Sequence, residues 1–320
     1  MNLYFSSSSL FDRNDLFASC GNRSPPPDPC PNGTRPFDDK AELRNAIETY
    51  NPLISVPKPN CWDVSKITDF RQLFSEVYTF NEPIGRWNTS AVTTMEYMFF
   101  LALDFNQDIG EWDTSAVTNM AGMFFQAVAF NQKIGKWDTS AVTDMIDMFN
   151  AALAFNQYIG DWDTAAVTTM AAMFPNTNFN RDISQWDTSA VRNMGSMFGG
   201  DRAFNQPIGG WDTSAVTDMS LMFANAESFN RDLSGWDTSK VTSMQNMFDG
   251  AESFNRPIGN WDIAKVTTME DMFRTAEAFH QNLCAWKNSA AVKTGMFTDT
   301  SCPHPGTPTG NQFCVTCPAS

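Results

Sequence analysis

Eight aspartates directly follow a tryptophan: Asp63, Asp113, Asp138, Asp163, Asp187, Asp212, Asp237 and Asp262. Carboxylates in such a row can collect Ca²⁺ or basic groups as oxygen ligands. They can also accept hydrogen bonds from the N–H groups of their own turn. Stacked carboxylates repel, so the row needs a compensating gain, and the turn in the following Thr-Ser is the simpler source of it. The residue before each tryptophan varies in size and sign, through Arg86, Glu111, Lys136, Asp161, Gln185, Gly210, Gly235 and Asn260. Variation beside constancy is what a recognition surface on a fixed scaffold looks like.

Catalytic groups are harder to find. Only His280 and His304 are present, neither in a Ser or Cys nucleophile pattern, and there is no G-x-S-x-G, phosphate-binding loop or dinucleotide fingerprint. Paired carboxylates occur by chance among 36 acidic residues, and catalysis would need one repeat unlike the others. The chain is therefore expected not to be an enzyme, with a polysaccharide-acting enzyme the weakest alternative.

Seven cysteines lie before the repeats or at their close: Cys20, Cys30, Cys61, Cys284, Cys302, Cys314 and Cys317. Cys30, Cys61, Cys284, Cys302, Cys314 and Cys317 are disulfide candidates, with the pairing open, because a terminal repeat lacks a neighbour and needs a stapled cap. The lone C-x-x-C at Cys314 and Cys317 has no second pair, so no metal site is expected.

What positions these residues is a period. The ten tryptophans, Trp62, Trp87, Trp112, Trp137, Trp162, Trp186, Trp211, Trp236, Trp261 and Trp286, are spaced by 25 residues except for one step of 24. A fixed step of this size marks a small unit stacked on copies of itself. Within Trp112-Asp-Thr-Ser, alternation predicts a short strand with Trp112 and Thr114 inward. Val117, Met120, Met123, Phe124 and Ala127 then follow steps of three and four, predicting an amphipathic helix capped by Thr118. The fold class is thus α/β: a solenoid of about ten 25-residue strand-helix coils, with a parallel sheet on one face and disulfide-stabilised caps. The short step and Pro175 both fall in the helical half, where no ladder bond is expected to depend on register. An asparagine row from Asn81 to Asn255, ending at His280, is expected to be buried and to bond coil to coil at a corner.

Four regions follow. Residues 1–37 read as a Ser/Pro-rich linker. Residues 38–60 hold a capping helix with Leu43, Ala46, Ile47 and Tyr50 on one face behind an Asp39 cap. Residues 61–297 are the repeats, and residues 298–320 are a Cys/Pro-rich cap or the start of a cysteine-rich module. A net charge of -15 excludes nucleic acid as a partner. No run is long and apolar enough to insert into a membrane. No signal peptide is visible, so an extracellular or cell-surface location is expected from cysteine usage alone, with export information lying outside this sequence.

The consensus I-G-x-W-D-T-S-x-V-T-x-M-x-x-M-F-x-x-A-x-x-F-N-Q resembles the BspA-type leucine-rich-repeat-like surface proteins over about three quarters of the chain. That resemblance implies a non-enzymatic surface or secreted protein of adhesion or recognition, binding a protein or glycan on a cell surface. The expected contacts are the strand-face rows: Arg86, Glu111, Lys136, Asp161 and Gln185 with Asp113, Asp138, Asp163, Asp187, Asp212 and Asp237. No cofactor is expected beyond Ca²⁺ on the Asp row, and the chain is expected to be a monomer. The alternatives are a calcium-dependent structural protein or an ice-binding one. Against ice binding, one threonine row reads as buried and the row of Thr68, Thr93, Thr118 and Thr143 reads as helix caps interrupted by Arg192.

Overall fold

The computed structural model of the chain describes residue 30 and residues 34–318. Most of the linker expected over residues 1–37, and Cys20, lie outside the described residues. Coils are numbered here from their tryptophans, coil 1 from Trp62 to coil 10 from Trp286.

The repeats stack as expected, but neither the strand nor the helix of the strand-helix coil is present. Each coil meets the next through a single parallel β-bridge, Asp69 to Thr94, Thr94 to Asn119 and so on to Val292. The bridge lies seven residues after the tryptophan in coils 1 to 9 and six in coil 10, so Trp-Asp-Thr-Ser is a turn rather than the strand. The expected helix is a run of tandem turns. Met98 and Ala102 donate to carbonyls three residues back, those of Met95 and Phe99. In between, the N–H groups of Met95, Tyr97, Phe99 and Leu101 donate to Asn119, Ala121, Met123 and Phe125 of the next coil. Two residues per coil have positive φ, such as Tyr97 at 51° and Leu101 at 58°, which no helix tolerates. Tandem turns bring residues inward every three or four positions, so they mimic the spacing of a helical stripe. The inter-coil hydrogen bonds offset the left-handed strain of about 1–2 kcal/mol at each such residue.

Inward rows build the core. All ten tryptophans except the half-buried Trp62 are buried, together with the Val, Met, Met-Phe and Phe rows. Trp87 and Trp112 lie 6.2 Å apart at 6° to one another, and Phe99 and Phe124 lie 5.5 Å apart at 4°. Each such offset pair adds about 0.5–1.5 kcal/mol beyond its buried area. The indole N–H also has a place: Trp112 Nε1 donates to Ile84 O at 3.1 Å, and Trp137 Nε1 to Ile109 O at 3.1 Å. Thr114 is inward as expected, 1% exposed, and its hydroxyl donates to Asp138 O of the next coil at 2.9 Å.

Three expectations are corrected in detail. Thr118 caps no helix; its N–H and hydroxyl both donate to Thr93 O of the preceding coil. The asparagine row bonds coil to coil but is at most half-buried: Asn106 N donates to Asn81 Oδ1 at 2.9 Å, and Gln107 Nε2 to Asn81 O at 2.8 Å. The missing residue of coil 5 falls where inter-coil bonds do occur. In regular coils that corner joins Ala129 N to Leu103 O and Ala154 N to Val128 O, whereas at coil 5 the side chain of Asn178 reaches Leu153 O instead.

Both ends are capped by parts of the chain outside the repeats. Helix α1, Lys40–Glu48, starts at Asp39, whose carboxylate accepts from Glu42 N, and buries Leu43 and Ile47. Arg44 from α1 donates to the edge carbonyls of Leu73 and Ser75, which have no preceding coil to bond, and to Gln72 O beside them. At the far end strands β1, His304–Thr309, and β2, Gln312–Thr316, form an antiparallel hairpin. Phe297 N donates to Gly306 O, and Gly295 N to the Thr307 hydroxyl, closing the other edge. The six candidate cysteines pair as Cys30–Cys61, Cys284–Cys317 and Cys302–Cys314. Disulfides of this kind persist in an oxidising, extracellular environment. No helix of the described residues is long and apolar enough to cross a membrane.

Candidate recognition surface

Outward positions fall into rows because every coil has the same backbone. The row before the tryptophans is exposed: Arg86, Glu111, Lys136, Asp161 and Gln185 all face solvent. These residues stand at a corner beside the tryptophan turn, not on the strand face assigned to them, since that strand is absent. A glycine makes the corner tight. A Cβ on Gly135 would lie 2.5 Å from Tyr158 O of the next coil, so Gly135 keeps two backbones in contact.

Within coils 2 to 4 the corner carries a shallow groove lined by Asp108, Glu111, Lys133, Lys136, Tyr158 and Asp161. Lys136 Nζ pairs with Glu111 at 2.7 Å on an exposed surface, and this contact holds the ammonium pKa above its ordinary value. Tyr158 donates to Asp161 Oδ1 at 2.9 Å, which raises the phenol pKa. The groove therefore presents both charges and a half-exposed aromatic ring.

The Asp row has a different job. Asp113 Oδ1 accepts from the Ser115 hydroxyl at 2.6 Å and from Ser115 N at 3.1 Å, and Asp138, Asp163, Asp187, Asp212 and Asp237 each accept from the N–H two residues on. The serine hydroxyl, then the serine N–H, holds the carboxyls of Asp113, Asp138, Asp187 and Asp237 below the usual carboxylate range. Asn88 makes the same turn without charge, its Oδ1 accepting from the Ser90 hydroxyl and N–H. Among the described residues no three His, Cys, Asp or Glu side chains come close enough to share a metal ion.

A second outward surface lies at positions where the sequence pattern predicts a helix. It lies over the tandem turns, and its clearest row stands between two bonded corners. In coils 1 to 4 that row is Tyr78, Leu103, Val128 and Leu153, with Tyr78 47% and Leu153 51% exposed. In coils 6 to 9 it becomes Arg202, Glu227, Glu252 and Glu277. Bonds such as Ala129 N to Leu103 O and Ser253 N to Glu227 O keep the row in register. Phe100 and Phe125 stand beside the apolar half, 5.3 Å apart, while Arg274 and Asp249 pair beside the acidic half. The signal was legible as the variable residues inside M-x-x-M-F-x-x-A-x-x-F, but without the turn geometry their direction was not.

No curated protein and no solved structure matches the chain. Four overlapping segments, residues 41–159, 129–214, 151–242 and 202–304, match the family described as Mycoplasma protein of unknown function, DUF285. Together they span more than half of the chain, and the chain belongs to that repeat family.

Proposed function

We propose that this chain is a non-enzymatic recognition protein, secreted or held at a cell surface, built as a BspA-like, leucine-rich-repeat-type solenoid that binds a protein or glycan through its outward rows. The observation that carries this reading is the contrast between inward and outward positions on one repeated backbone. Inward rows hold the same residue in nearly every coil, whereas the row through Arg86, Glu111, Lys136, Asp161 and Gln185 changes sign and size. We assign the Asp row to the scaffold, since its carboxylates serve their own turns, and leave contact to its variable neighbours. The row over the tandem turns favours a partner with an apolar part over coils 1 to 4 and a cationic or hydrogen-bonding part over coils 6 to 9.

The test is binding of the full chain to arrays of glycans and secreted proteins, repeated with Lys136→Glu and Leu153→Asp. A ligand whose affinity falls at least tenfold with either variant, at unchanged melting temperature, supports the reading. Binding indifferent to both variants removes these surfaces from it.

One observation favours a second reading. Thr93, Thr118, Thr143, Thr168, Thr217, Thr242 and Thr267 cap no helix but stand exposed in one row, each hydroxyl donating to the preceding coil's carbonyl. Such a row could match an ice lattice. Thermal hysteresis in a nanolitre osmometer would support it, and a trace identical to that of a control protein would eliminate it.

A further inference from the structure

Seven coils place a small residue at the same buried corner, Ala102, Ala127, Ala152, Thr177, Ala226, Ala251 and Ala276. Coil 6 places a carboxylic acid there. Asp201 is 0% exposed and lies against the one-residue gap of coil 5. Its Oδ1 accepts from Ala203 N at 3.1 Å, and its Oδ2 lies 2.9 Å from the Thr177 hydroxyl.

Thr177 Oγ1 is also 2.8 Å from Phe174 O, and a hydroxyl has one proton to give. A carbonyl and an ionised carboxylate can both only accept, so with Asp201 ionised one of the two contacts has no hydrogen. Both contacts are hydrogen bonds at once only if Asp201 Oδ2 carries a proton and donates it to Thr177 Oγ1. An ionised carboxylate would leave two acceptors competing for one hydrogen in a site closed to water.

Among the described residues no charged partner is at hand to hold the ionised form. Thr177 and Phe179 face the carboxyl from coil 5, Ala203 and Phe204 belong to its own coil, and Ala226 takes the equivalent place in coil 7. The nearest charges in sequence and in the next coil, Arg202 and Glu227, pair with each other at 3.1 Å, the Arg202 side chain 72% exposed. Burial pushes the Asp201 pKa up to about 7, against the Thr177 hydroxyl and the N–H groups of Ala203, Phe204 and Phe179.

We propose that Asp201 is a proton-binding site: in the folded protein its carboxyl is neutral under mildly acidic conditions and donates to Thr177, so that the junction of coils 5 and 6 tightens on taking up a proton and loosens on losing it. The sign follows from linkage. The folded state holds the proton more tightly than the unfolded chain. The stability so gained is full below the ordinary carboxylate range and is lost as pH rises to about 7.

Carboxyl ¹³C titration of the full chain, labelled at aspartate, tests this without a variant. One resonance should titrate near pH 7 while the exposed carboxyls titrate near or below their ordinary range of about 4. Denaturation of the wild type and of Asp201→Asn, a neutral isostere, is then compared from pH 4 to 8. The wild type should lose ground to Asp201→Asn by up to about tenfold in folding equilibrium per pH unit across that window. Aspartate resonances that all titrate below pH 5, or denaturation curves that stay parallel from pH 4 to 8, would overturn the proposal.

Discussion

Coils 2 to 4 close their inner corner with a small apolar residue and backbone hydrogen bonds. Ala102, Ala127 and Ala152 fill the space, and Ala129 N and Ala154 N find carbonyls on the preceding coil. Coils 5 and 6 close the same corner with side chains. Asn178 Nδ2 reaches Leu153 O, Thr177 donates to Phe174 O, and Asp201 accepts from Ala203 N. A stacked repeat can therefore lose a residue without breaking its stack, provided that polar side chains take over the vacated backbone partners. The cost is a fully buried ionisable group at a corner where regular coils such as 2 to 4 place alanine.

Substitutions can break or sharpen this contrast. The largest effect is expected from Trp137→Ala, which removes a buried indole and its bond to Ile109 O. A loss of about 3–5 kcal/mol, read by chemical denaturation, should open the neighbouring coils as well. Ala127→Asp places in a regular corner the residue that coil 6 tolerates, but without Thr177 or an unpaired N–H to receive it. It should cost about 3–5 kcal/mol as an uncompensated buried charge, and a cost below 1 kcal/mol would show that the junction is not special. Asp201→Ala gives coil 6 the regular residue yet leaves Ala203 N without its acceptor, and should cost about 1–3 kcal/mol. Asp138→Asn should change the melting temperature little, because Asn88 already makes that turn. Smallest of all, Lys136→Glu should leave thermal melting unchanged, since the Lys136–Glu111 pair is largely exposed.

The pH profile carries the same contrast with opposite signs. Asp113, Asp138, Asp187 and Asp237 have lowered pKa values, so their contribution is present above the ordinary carboxylate range and is lost as pH falls through the lowered values. Asp201 contributes in the other direction, losing stability as pH rises to about 7. Thermal melting should therefore be highest in mildly acid solution, and in Asp201→Asn only the acid-side loss should remain.

Part of this was readable from residues alone. The 25-residue step placed the Trp, Thr, Met and Phe rows inside and the row from Arg86 to Gln185 outside. Cysteines at the two ends marked the caps, and the Asp39 helix start is where the pattern put it. The spacing of Val117, Met120, Met123, Phe124 and Ala127 predicts a helix but has two solutions. A helix bonds its N–H groups four residues back, and tandem turns send every second one sideways. A single sequence does not record which partner a backbone N–H will find.

Period and polarity therefore settled which residues are inside, because a buried row must repeat whenever the unit stacks on itself. Packing of one coil on the next settled the rest: left-handed residues such as Tyr97 and Leu101, the bridge at Thr94, and the direction of the row from Leu103 to Glu277. It also placed Asp201 against Thr177. Those features depend on hydrogen bonds between residues about 25 positions apart, and such bonds exist only once neighbouring coils are in place.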